Sequence, residues 1–151
     1  MAKMIFVNLP VADLKRSMAF YDAIGFTNNP QFTNEQAAAM MWSDEIYVML
    51  LTHDFWKTFT TKEIPDAHKS AQLMLAISMD SREEVDRITE LAGQHGGVAD
   101  CNPMQDHGFM YGRDFEDPDG HIWEPNWMDM SQVPEDLAQQ DQQRQQQGAT
   151  R

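Results

Sequence analysis

Apolar and polar positions alternate along the chain in two passes of the same order. Residues 4–8, MIFVN, read as a buried strand. Asp13 then suits a helix N-cap, because its carboxylate accepts from the free N–H groups of a first turn. In LKRSMAFYDAIGF, Leu14, Met18 and Tyr21 recur at helical spacing, and Gly25 ends that helix where a left-handed residue is easiest. Three strands are predicted next, over 26–32, 37–42 and 46–52, with Ser43-Asp44-Glu45 as the turn between the last two. Residues 53–70 are irregular, contain Pro65, and connect the halves, with room for one short helix.

The second pass repeats the first. Residues 73–79 read as a strand. Ser81-Arg82-Glu83-Glu84 is a capping box, followed by the apolar stripe Val85, Ile88 and Leu91. Glycines at 93, 96 and 97 end that helix. Strands are predicted near 97–102, 109–115 and 121–127, the last two joined by Asp117-Pro118-Asp119-Gly120. The pattern is therefore β-α-β-β-β twice, with little identity letter by letter. It predicts one α+β domain over 1–128, with modules at about 1–63 and 70–128. Residues 129–151 form a Gln-rich tail; beyond Asp129 almost no large apolar group remains to offset ordering entropy, so disorder or a frayed helix is expected.

Composition narrows the function. The 151 residues and 42% apolar content support one core, and no run of eighteen apolar residues reads as a membrane span. A formal charge of -13 argues against nucleic acid and against an anionic membrane surface, while permitting a cationic ligand. The single Cys101 and the lack of a secretion-signal pattern make a cytoplasmic location the expectation.

Two stretches carry a resemblance. NLPVADLKRSMAFYDAIGF, residues 8–26, and FEDPDGHIWE, residues 115–124, resemble the vicinal-oxygen-chelate superfamily of glyoxalase I, bleomycin-resistance proteins and extradiol dioxygenases. The resemblance implies two βαβββ modules whose strands curl into an open cup, often in a homodimer. In metal-dependent members it implies ligands, usually His, Glu or Gln, on the first and last strand of each module. Carried to this chain, those positions fall on Phe6, Leu50, Met74 and Glu124. A shift of two residues brings in Asn8 or Gln72. Phe and Leu are not ligands, a Met thioether prefers soft metals, and one carboxylate cannot hold Zn, Ni or Fe. No metal cofactor is therefore expected; if a divalent ion is present, Glu124 is its ligand.

The resemblance and the residues together point to a small-molecule-binding protein. Its ligand contacts are expected among Asn8, Trp42, Tyr111, Arg113 and Glu124. Arg113 is the expected partner of Glu124, either as a plain ion pair or as part of a binding site. Glu124 and His107, the latter beside Asp106, are the candidates for a base. His53 is expected near the cup's rim; its polar strand-end role and a ligand role both stand open. The alternative function is a metal-dependent glyoxalase-type lyase or extradiol dioxygenase using Glu124 with Asn8, Gln72 or His53.

Overall fold

The computed structural model describes residues 1–134 together with Gln146 and Gly148. The first module runs β1 (Ile5–Val11), α1 (Leu14–Ala23), β2 (Thr27–Asn29), β3 (Ala37–Met41) and β4 (Ile46–Thr52). Its strands lie in the order β1-β4-β3-β2, with β1 parallel to β4. A short helix, α2 (His53–Trp56), opens the connection to the second module. That module comprises β5 (Met74–Ser78), α3 (Arg82–Gln94), β6 (Val98–Ala99), β7 (Gln105–Asp106), β8 (Met110–Gly112), β9 (Phe115–Glu116) and β10 (Ile122–Met128). β10 is central, parallel to β5 and antiparallel to β8 and β9. The architecture is the duplicated α+β one, with each crossover helix on one face of its sheet and the opposite faces forming the open cup.

The capping signals act locally as anticipated. The Asp13 carboxylate accepts from Arg16 N at 3.1 Å and starts α1. The Ser81 hydroxyl accepts from Glu84 N at 3.2 Å and starts α3. Glu84 reaches back one residue further than a standard capping box, accepting from Asp80 N at 3.0 Å.

Three strands differ from the sequence reading; the one expected near 97–102 is confined to Val98–Ala99, with Asp100 at φ 55° beyond it. The expected strand over 26–32 stops at Asn29, because Pro30 opens a 3₁₀ turn, Pro30–Phe32, capped by the Asn29 side chain at Gln31 N. The expected strand over 109–115 is split into β8 and β9. Opposite the split stands Pro125: Arg113 N donates to Pro125 O at 3.3 Å, and Pro125 has no N–H to return the second bond of that pair.

One core joins the modules. Leu9, Val11, Phe20, Tyr21, Phe26, Met40, Val48, Leu50, Ile88, Phe115 and Trp123 are buried together between the sheets and helices. Within it the aspartate turn is locked. Asp117, 1% exposed, accepts from the Tyr21 hydroxyl at 2.6 Å and from Asp119 N and His121 N at 2.9 Å. Trp123 Nε1 donates in turn to the Tyr21 oxygen at 3.0 Å. Asp119 then accepts from Ala12 N and Ser17 Oγ, tying the turn to the start of α1. Among the described residues no helix is long and apolar enough to cross a membrane. At the chain's end, Asp129 N donates to Phe109 O and Met130–Gln132 forms a 3₁₀ turn. The expectation of disorder for most of the tail lies outside the described residues.

Candidate functional site

Strand parity decides which side chains face the open cup. Val7, Leu9 and Val11 of β1 pack into the core, so Phe6 and Asn8 face away from it. Leu75 and Ile77 of β5 are core, leaving Met74, Ala76 and Ser78 on the open face. Trp123 and Pro125 of β10 are buried, leaving Ile122, Glu124 and Asn126 there. The fourth strand shifts by one from the sequence reading: Leu50 is fully buried in the core, so Met49 and Leu51 take the alternate face. Phe6 and Met74 are 53% and 56% exposed.

Glu124 and Arg113 do not pair, which corrects the expectation. The hairpin register sets Glu116 against Ile122 and Phe115 against Trp123, and Gly112 against Asn126 further along. The intervening pairs are therefore Arg113 with Pro125 and Asp114 with Glu124. Arg113 and Glu124 differ in parity and point to opposite faces. On its own face Arg113 binds Asp100 at 2.8 Å and Asp86 at 3.0 Å, with Glu90 at 3.6 Å.

Glu124 thus meets Asp114, a like charge, across the strands. Burial first, and Asp114 second, push its carboxyl above the usual glutamate range. Its carboxylate makes no hydrogen bond or ion pair with the described residues. A hollow of about 160 Å³ opens beside it, lined by Gln105, Met110, Gly112, Asp114, Glu124, Pro125 and Asn126. Asp114 is held by Asn102 Nδ2 at 2.8 Å. The sequence reading missed Asp114 and Gln105 as neighbours of Glu124. Counting outward from the aspartate turn would have found Asp114, since hairpin partners keep a constant index sum.

The other candidates lie apart from this hollow. Asn8 lines a separate hollow of about 150 Å³ with Trp56, Gln72, Leu73 and Ile122. Trp42 packs against Phe26 with ring centroids 5.1 Å apart and planes tilted by 46°, and lines a helix-side hollow with Ile88 and Leu91. The Tyr111 hydroxyl donates to Asp86, and the Arg82 guanidinium lies over its ring, again beside α3. His107 packs near Phe109, while both oxygens of Asp106 bond Arg82, at 2.9 and 3.0 Å. That bidentate bond, more than anything else, holds the Asp106 carboxyl down at about 2. His53 is the first residue of α2 and faces a larger cavity near the connection.

A metal of the kind the resemblance implies fits this donor set poorly. Among the described residues no group of three or more His, Cys, Asp or Glu is placed to hold an ion. The four positions carried over present Phe6, Leu50, Met74 and Glu124, and the shift to Met49 or Leu51 adds no borderline or hard donor.

Residues 3–42 match the family model described as bleomycin resistance protein-like, N-terminal. No curated protein matches the chain by sequence. Among solved structures, the fold is similar to hypothetical protein SA1046 from S. aureus, at 24% identity and TM-score 0.70, over 84% of this chain and 94% of that one. It is similar to a glyoxalase/bleomycin resistance protein/dioxygenase family enzyme from Burkholderia phytofirmans, at 17% identity and TM-score 0.68, over 84% and 99%. It is also similar to the fosfomycin resistance protein FosX from Mesorhizobium loti, at 16% identity and TM-score 0.58, over 87% and 93%.

Proposed function

We propose that this chain, whose fold is similar to that of glyoxalase and bleomycin resistance proteins, binds a small organic cation on its open sheet face, without a resident metal ion. The observation that carries the reading is the Asp114–Glu124 juxtaposition. Two carboxylates face each other across a hairpin, one of them with its pKa raised by burial and by the other's charge. A cationic group between them relieves that repulsion, as Arg113 does not. Met110, on the wall of the same hollow, offers apolar contact for an organic body, in keeping with the apolar walls and few polar groups of most small-molecule sites.

The test is a thermal-shift screen with organic amines, matched carboxylates and neutral analogues. Amines raise the melting temperature of the parent and lose that effect in Glu124→Gln and Asp114→Asn. A response only to anions or neutral compounds, unchanged by either substitution, overturns the reading.

One observation favours the rival, a metal-dependent lyase or dioxygenase. Gln105, Asp114, Glu124 and Asn126 bring four oxygen-bearing side chains to one hollow. Such oxygens suit a hard cation better than Zn, Ni or Fe(II). We further read the protein as a cytoplasmic homodimer. Exposed Met4, Ile5, Phe6, Leu73 and Met74 support an association surface on or beside the first strand of each module. Sedimentation velocity reports the state, and a monomer at high concentration contradicts it.

A further inference from the structure

A cavity of about 690 Å³ is lined by neither Asp114 nor Glu124. It lies where the end of β1, the first turn of α1, α2, the connecting segment and the aspartate turn meet. Arg16, His53, Lys57, His68 and His121 all line it. Three of the chain's five histidines therefore face one cavity, in a protein whose formal charge is -13. His53 opens α2 and Lys57, four residues on, is its C-cap, so both project from one face of that turn.

Three carboxylates, Glu63, Asp66 and Asp119, line this cavity beside the Arg16 and Lys57 cations, and two of the three are held in hydrogen bonds. Asp119 accepts from Ala12 N at 2.9 Å and Ser17 Oγ at 3.1 Å, and pairs with Arg16 at 3.5 Å. Asp66 turns back to its own segment, accepting from His68 N at 3.0 Å. Only Glu63 of the lining acids is left uncommitted. On the cationic side, His53 and His68 imidazoles and the Lys57 ammonium make no hydrogen bond or ion pair with the described residues. His121 Nε2 donates to Pro10 O at 2.8 Å, which fixes the ring and leaves Nδ1 free of that bond.

The cavity wall is a built feature. Gly120 has φ +95°, and a Cβ there would stand 2.7 Å from Ala67 C and His68 N. The connecting segment is therefore pressed onto the aspartate turn, which holds His68 on the cavity's edge. Pro10, Ile64, Pro65 and Pro118 supply apolar wall between the charged groups.

We propose that this cavity is a second small-molecule site, which takes an oxyanion of multiple charge attached to an organic body. Its anionic group sits among Lys57, His53, His68 and Arg16, and its body lies on the proline wall. A phosphate monoester and a dicarboxylate share this chemistry. The cavity has room for either, and charge-assisted bonds to several donors set the affinity.

Isothermal titration calorimetry with phenyl phosphate and, separately, phthalate tests the site. The acidic surface repels such probes, so saturable binding of one probe per chain reports a specific set of donors. The expected result is saturation by at least one probe. The preferred probe identifies phosphate or carboxylate as the source. The double variant His53→Gln/Lys57→Gln weakens it by about tenfold or more, and His68→Gln on the opposite wall weakens it as well. Glu124→Gln leaves it unchanged, which separates this site from the cup. Saturation by neither probe, or equal affinity in folded double variant and parent, overturns the proposal.

Discussion

Replacing Tyr21 by Phe removes a single oxygen from the middle of the core. That oxygen donates to Asp117 at 2.6 Å and accepts from Trp123 Nε1 at 3.0 Å. Tyr21 is fully buried, and Asp117 and Trp123 nearly so, at 1% and 2% exposure. No water replaces the lost partner without opening the core. Each orphaned buried group costs about 1–3 kcal/mol, so the pair places the loss near 3 kcal/mol. For a chain of this size that corresponds to a fall of about 6–12 °C in Tm. The loss also depends on pH. Burial raises the Asp117 carboxyl above its usual range, while the Tyr21 hydroxyl pulls it down. A carboxyl raised on folding favours the folded state below its unfolded value, and that advantage is lost as pH rises through the folded value. Without the hydroxyl the anion is worse accommodated, so the deficit of Tyr21→Phe grows as pH rises from the ordinary aspartate value towards neutrality. Urea unfolding of both proteins across that range measures it. A deficit below about 0.5 kcal/mol, or one independent of pH, refutes the reasoning.

Glu124→Gln stabilises the protein at neutral pH, because its carboxyl is raised by burial and Asp114; the gain disappears on acidification, and a loss of stability at neutral pH contradicts it. Arg113→Gln destabilises by about 1–3 kcal/mol through loss of the Asp100 and Asp86 bonds. Arg113 holds the Asp100 carboxyl below its usual range, so that stabilisation is present above the ordinary aspartate value and fades as pH falls through the folded one. Urea melts that keep the same deficit in acid count against it. Gly120→Ala, at φ +95° and against the Ala67–His68 backbone, costs about 1 kcal/mol or more and speeds proteolysis within residues 63–70. Burial, then Glu116 and Asp114, push the Cys101 thiol up to about 11, so it alkylates far more slowly at neutral pH than a free thiol of ordinary acidity.

The duplicated order was legible because each module repeats a period change, from alternation to helical spacing and back, bounded by caps at Asp13 and Ser81. The aspartate turn was legible too, since Asp117-Pro118-Asp119-Gly120 fits few other conformations. What escaped was parity. A carboxylate in a strand says nothing of which face it takes until a pairing register is known, and one residue's shift exchanges the faces. Arg113 was matched to Glu124 on proximity along the hairpin, whereas the constant index sum pairs Glu124 with Asp114. Leu50 was misplaced onto the cup face for the same reason. Pro125 carried a readable warning, because a proline inside a central strand predicts an interruption on its partner. The cavity at the connection was hidden for another reason: Arg16, His53, Lys57, His68 and His121 are scattered over more than a hundred positions and meet only when the connection folds onto the turn.

The central claim is that the cup uses its two carboxylates for an organic ligand and holds no resident metal. Its most direct test is metal content by mass spectrometry, on protein as purified and again after incubation with Zn, Ni, Mn and Fe(II) and removal of excess ion. The account predicts strongly substoichiometric metal throughout, with no difference in Glu124→Ala. Close to one ion per chain, lost in Glu124→Ala, contradicts it and makes lyase or dioxygenase chemistry the activity to assay.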